Sequence, residues 1–164
     1  MKQNLTILLA YPGARKMWRT WALEEKAINF RTQIMEGERC TAAYAAMELK
    51  SFLEKCMSSL EITVSEECDR STPFVELCYR YEKNVPGSFE LESLPPGIRV
   101  TGYDRNGLLN GVYELLRIQG WRFLEPGPYG ESAPEKPTLD FLNVTKRCIG
   151  SFKHRMIDQY RESD

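Results

Sequence analysis

Two carboxyl groups held at a fixed separation can share proton donation and proton acceptance between them, so the acidic pairs are the first residues to weigh. Three pairs stand out: Glu24 with Glu25, Glu66 with Glu67, and Glu90 with Glu92. Adjacent positions on a helix point apart, whereas Glu90 and Glu92 would share one face of a strand by its two-residue period. That face of a hairpin is ordinarily the wet one. His154 is the sole histidine, and one imidazole makes no metal cluster. No H-E-x-x-H, no G-x-S-x-G turn and no G-x-x-x-x-G-K-[ST] phosphate loop accompanies it. These patterns give the chain no catalytic set of its own, and no metal or cofactor is expected.

Arg122, flanked by Trp121 and Phe123, is the sharpest single combination. A planar guanidinium there suits a carboxylate ligand such as a uronic acid, while the competing reading turns Arg122 outward to brace a domain junction. Trp18 and Trp21 lie three apart, hence on one helical face. Their rings suit stacking on a pyranose, yet core or interface packing is the stronger reading. Cys40, Cys56, Cys68, Cys78 and Cys148 are odd in number and contain no CxxC pair, which reads as small buried hydrophobes in a reduced compartment.

The 164 residues suit one domain with or without tails, and a hydrophobic share of 42% is enough for one core. With 22 Lys and Arg against 23 Asp and Glu, the net charge of −1 shows no basic stripe for nucleic acid. The apolar run from Leu5 to Tyr11, broken by Thr6, is far too short to span a bilayer. It lacks a small-residue cleavage pattern and reads as a first strand or a loose tail, so a cytoplasmic location is favoured slightly, with a secreted or periplasmic parent left open.

The elements that must position these residues follow from apolar spacing. A helix is predicted over 17–29, then a strand over 29–36 ended by Gly37. Ala42, Ala45, Ala46, Leu49, Phe52, Leu53, Cys56 and Leu60 form one stripe of a helix over 41–60. Ile62 with Val64, the segment 74–79, and the alternating pair 88–92 and 98–101 around Pro95, Pro96 and Gly97 read as strands. From Asn106 the period turns helical, with Asp104 or Asn106 as N-cap and Gly120 as the stop. Gly107 and Gly111 share a face of that helix and would let it lie close to a sheet. A buried strand over 121–124 follows, and 127–143, rich in proline, glycine and charge, reads as a linker. The order is β-α-β-β-β-β-α-β, and a mixed sheet packed by two main helices, an α/β two-layer (α+β) arrangement, is its natural solution.

One ordered set of residues resembles a known family. Ile98, Val100, Gly102, Gly107, Leu109, Gly111, Val112, Tyr113, Gly120, Trp121, Arg122, Phe123 and Pro126 are similar to the small α/β domain that precedes the catalytic barrel in glycoside hydrolases of the family 20 β-hexosaminidase and family 67 α-glucuronidase type. Ala45 or Ala46, Glu48, Leu49, Phe52 and Leu53 resemble its first long helix. Lys153, Arg155, Met156, Ile157, Asp158, Gln159 and Tyr160 resemble the entry into the first barrel strand, and a competing alignment places Asp158 and Arg161 on a sugar-binding D-x-x-R.

The resemblance implies a segment at 1–29, an accessory domain at 30–126, a linker at 127–143, and at 144–164 a tail or the start of a truncated barrel. The implied function is a non-catalytic accessory domain of a carbohydrate-active hydrolase, its partner the barrel and its ligand an oligosaccharide if any. The implied sugar or interface contacts are Trp121, Arg122, Arg155, Asp158 and Arg161. The alternatives are a stand-alone carbohydrate-binding or interaction module using Trp18, Trp21 or Trp121, and a small independent enzyme with a concave pocket.

Overall fold

Strand alternation builds one face of a six-stranded sheet from apolar side chains, and three helices cover that face. The computed structural model describes residues 3–82, 85–125, 127–135 and 137–150. In chain order the elements are β1 (Gln3–Leu9), α1 (Ala14–Glu24), α2 (Ile34–Cys56), β2 (Leu60–Ser65), β3 (Phe74–Tyr79), β4 (Phe89–Leu94), β5 (Gly97–Gly102), α3 (Arg105–Gln119), β6 (Arg122–Phe123), β7 (Glu131–Ser132) and β8 (Lys146–Cys148). The main sheet runs β2-β1-β3-β5-β4-β8. Strands β2, β1, β3 and β5 are parallel, and β4 is antiparallel to both β5 and β8. This is the expected mixed sheet in two layers.

Register explains a short parallel link. Ser65 at the end of β2 lies across from Leu8, and Phe74 at the start of β3 lies across from Thr6, so residues 66–73 climb back only two positions of β1. A full crossover helix is unnecessary there. The inner face carries Leu5, Ile7 and Leu9, then Ile62 and Val64, Val75 and Leu77, Ile98 and Val100, and Leu91, all buried. Against it, α2 presents Ala42, Ala43, Ala45 and Ala46, each without solvent contact, so neighbouring helices can approach closely.

Among the described residues the outer face of the sheet has no helical layer. Its charges pair laterally: Glu76 accepts from Arg99 Nε at 3.1 Å and from Arg70 at 3.4 Å, and Arg99 also reaches Glu92 at 3.0 Å. Arg70 lies over the Phe74 ring at 5.1 Å and covers it. Glu90 and Glu92, the strand-face pair weighed above, therefore sit on the open face, each held by an arginine.

Six sequence expectations need correction. The segment 29–36 is not a strand: Asn29 Oδ1 accepts from the Arg31 N–H, the Asn29 carbonyl accepts from Gln33 N–H, and α2 starts at Ile34. Local Asx bonding there outcompetes a weak alternation. Gly37 breaks nothing; it lies inside α2, where an added Cβ would stand 2.9 Å from the Phe30 ring. Helix α2 accordingly runs Ile34–Cys56 rather than 41–60, with Leu60 opening β2.

The segment 121–124 forms no strand of the main sheet; Arg122 and Phe123 pair with Ser132 and Glu131 in a small exposed hairpin. The segment 127–143 does not leave the domain either, because Phe141 and Leu142 are only 3% and 4% exposed and the chain then adds β8 to the edge of β4. Two buried side chains in one short turn outweigh a polar composition. Lastly, residues before position 30 are no separate segment, since β1 is a middle strand of the sheet and α1 packs beside α2. The helix expected over 17–29 is α1, and with the two main helices it completes the covering layer.

Candidate functional site

The parallel strands define two rims, and the residues of chemical interest divide between them. Helix α3 spans the two rims, starting at the carboxyl rim after β5 and ending at the amino rim. Asp104 caps the helix start, its Oδ1 accepting from Gly107 N–H at 2.6 Å and its Oδ2 from Gly87 N–H at 2.9 Å. Gly107 lies so near the Ser88 carbonyl that a Cβ there would overlap the oxygen, and a Cβ on Gly111 would stand 2.6 Å from Val100 Cγ1. The two glycines thus bring α3 onto β4 and β5 as their spacing implied. At the far end Gly120 adopts φ 121°, and Trp121 N–H donates to the Leu116 carbonyl at 3.0 Å.

That turn drives Trp121 inward. The indole is 3% exposed, meets Phe52 edge-on at 4.9 Å and lies parallel to Phe123 at 6.3 Å. Phe123 also meets Phe52 at 5.3 Å and Tyr113 at 5.1 Å, while the Tyr113 hydroxyl donates to Glu48. Both faces of Trp121 are occupied, and its N–H has no acceptor among the described residues. Arg122 is exposed and donates to the carbonyls of Trp121 and Arg117 at 2.8 and 3.1 Å, placing its charge at the helix carboxyl end. Beyond it the hairpin exposes Leu124 and Tyr129, at 82% and 97%.

Trp18 and Trp21 are likewise buried, and arginines cover what remains: Arg19 lies over Trp18 at 5.3 Å and Arg39 over Trp21 at 4.6 Å. None of the three indoles offers a free stacking face. Arg155, Asp158, Arg161 and His154 lie outside the described residues. All five cysteines are free thiols; Cys40 is buried, Cys148 is exposed and the others are half-buried.

The remaining acidic pairs do not converge. Glu25 accepts from the Thr41 hydroxyl at 3.3 Å, and Glu66 accepts the Arg15 backbone N–H at 2.7 Å, which lowers its pKa. Glu114 is the most strongly perturbed carboxyl: its hydrogen bonds to Arg117 first, opposed by burial and aided by Lys146, hold it down at about 2. Through Lys146 this carboxylate ties α3 to β8. Among the described residues no three His, Cys, Asp or Glu side chains gather as a metal site, and no helix is long and apolar enough to cross a membrane.

The carboxyl rim is built from residues not singled out by their spacing. The inward face of β3 continues past its end, so Leu77 is followed by Tyr79 and then Tyr81, while on β1 Leu9 is followed by Tyr11. The Tyr79 hydroxyl donates to the Glu38 carbonyl at 3.1 Å, and its ring stacks on Tyr81 at 6.0 Å with an interplanar angle of 21°. From the start of α3, Arg105 lies flat over Phe30 at 3.4 Å and donates to Thr41 Oγ1 at 3.3 Å. Burial, followed by the Glu38 carboxylate, pushes Tyr11 up to about 12; burial also raises Tyr79 and Tyr81 strongly. The two-residue period run one step past each strand was the available signal. Gly150 N–H donates to Ser88 Oγ at 2.6 Å, which ties Gly150 to this rim as well.

No protein-family model matches the chain. No curated protein matches it. Among solved structures it is similar to a GH138 enzyme targeting pectin rhamnogalacturonan II, at 16% identity and a TM-score of 0.45, over 68% of this chain and 12% of that one. The chain thus spans about an eighth of the length of that enzyme.

Proposed function

We propose that this chain is a non-catalytic α/β accessory domain of a carbohydrate-active glycoside hydrolase, packing against and supporting a (β/α)8 catalytic barrel. The observation that carries this reading is where the family-like residues sit. Ile98, Val100, Gly107, Gly111, Val112 and Trp121 all lie inside the domain, locking α3 to the sheet and the following turn to α2. A signature made of packing positions is what a scaffold needs, whereas a catalytic signature would place its polar groups at a cleft. Glycosidic hydrolysis calls for carboxyl groups set around the scissile bond, supplied in barrel enzymes by the ends of several strands. On the outer face, Glu76, Glu90 and Glu92 are instead committed to arginines.

The test is hydrolysis by this chain of an aryl-glycoside and polysaccharide panel. No turnover above background is expected. Turnover that disappears when one carboxylate of this chain is changed to its amide overturns the reading. The reading also expects the frame beyond Asp164 to continue with alternating strands and helices for several barrel repeats.

A further inference from the structure

The two rims and the open face handle charge differently, and the difference marks a site. On the open face each arginine named above reaches a carboxylate. At the carboxyl rim Glu38 and Arg105 are both half-buried and neither forms an ion pair among the described residues; the Glu38 carboxylate faces the Tyr81 hydroxyl as a hydrogen-bond acceptor, which leaves its remaining lone pairs for a ligand. Arg105 is held by the Phe30 ring and one bond to Thr41, which leaves other guanidinium N–H donors for a further acceptor. Tyr81, 57% exposed, presents a flat ring that Tyr79 backs from behind. These groups arrive on four separate elements: β1, the extension of β3, α2 and α3.

Location adds a second argument. The chain leaving β1 turns through α1 and α2 to β2 on one side, whereas the chain leaving β3 passes toward β4 and β5 on the other. Connections that part in this way leave a crevice outside the carboxyl ends of adjacent parallel strands, the usual place for a ligand in such sheets.

From this geometry we infer that the rim formed by Tyr11, Glu38, Tyr79, Tyr81 and Arg105 binds a neutral saccharide. Tyr81 receives the apolar C–H face of a pyranose, an aromatic ring being suited to such a flat partner. Glu38 accepts from one hydroxyl while Arg105 donates to its neighbour, because a vicinal diol presents a donor and an acceptor side by side. An anionic ligand would meet the Glu38 carboxylate, and a purely apolar one would cover both charged groups without using their remaining hydrogen-bonding capacity. The inference does not rest on the accessory role proposed above: a chain that hydrolyses glycosides by itself would overturn that role and leave this site standing.

The experiment is an amide-resolved NMR titration of the whole chain with cellotetraose, xylotetraose, mannotetraose and galactotetraose, with tetragalacturonate as the charged control. At least one neutral probe is expected to give saturable shifts at Tyr11, Glu38, Tyr79 and Tyr81, with Kd on the order of 1 mM, as suits a single shallow site. Tyr81→Ala and Glu38→Gln should each weaken binding about tenfold or more. Tyr81 is exposed, so Tyr81→Ala should keep the wild-type spectrum elsewhere; Arg105→Lys, which retains charge but loses the flat fork, is the second variant. Absence of saturable shifts with all four neutral probes up to about 10 mM overturns the inference. Shifts confined to other surfaces, binding that survives Tyr81→Ala, or preference for tetragalacturonate would overturn it equally.

Discussion

The two rims of the sheet carry aromatic clusters of similar size built to opposite ends. At the amino rim Phe52 meets Tyr113, Trp121 and Phe123 edge to face, Trp121 and Phe123 lie parallel, and Trp121 is closed on both sides. At the carboxyl rim Tyr79 and Tyr81 stack in parallel, and the outer ring remains open beside Glu38 and Arg105. The edge-on contacts around Phe52 close over the parallel Trp121–Phe123 pair, whereas the Tyr79–Tyr81 stack ends in a flat open surface. The first arrangement stabilises the domain and the second displays a surface, so aromatic content alone does not separate a core from a site.

That comparison breaks first at Trp121. Trp121→Ala removes the centre of the amino cluster and should cost about 4 kcal/mol, read as a fall in the urea midpoint at constant slope. A loss below about 1 kcal/mol would mean that the cluster is not a structural pillar. Gly107→Ala comes next, at about 3 kcal/mol, because the new Cβ must displace α3 from the Ser88 carbonyl. Alanine elsewhere in an exposed helix would favour it over glycine by about 1 kcal/mol, so the sign as well as the size of this change tests the close approach.

pH separates the rims further. Tyr11 ionises near 10 in an unfolded chain but is pushed up to about 12 when folded, and Tyr79 and Tyr81 move the same way. A raised pKa gives stability that is whole below pH 10 and is lost as pH rises from about 10 to about 12. The loss attributable to Tyr11 is about 2 kcal/mol and should vanish from an alkaline unfolding series in Tyr11→Phe.

The smallest effect lies on the acid side. Glu114, held down at about 2, contributes stability that is present above its unfolded value of 4.5 and is lost as pH falls toward 2. Glu114→Gln should flatten that limb by about 1 kcal/mol, a figure reduced for its solvent-facing arginine partner, and should speed amide exchange in β8, which Lys146 anchors.

Much of the sheet could be read from the chain because its signals are local. Alternation in β2 through β5, the Asp104 cap and the Gly120 stop each depend on neighbours a few residues apart. The errors arose where a local signal was weak and a distant contact decided. Residues 127–143 look like a linker until Phe141 and Leu142 find the core, and Trp121 looks available until Phe52, seventy positions earlier in round terms, closes over it. The carboxyl rim escaped notice because its five residues come from stretches that never adjoin in sequence, and only the strand order sets them beside one another.

The middle position of β1 also has a consequence for synthesis. This strand leaves the ribosome before either of its neighbours, and its second flank is complete only when Leu77 has been added. At ordinary elongation rates that interval is on the order of ten seconds, during which an apolar ribbon from Leu5 to Leu9 lies bare. Early condensation with α2, which is synthesised before β3, would cover that ribbon before the sheet can close.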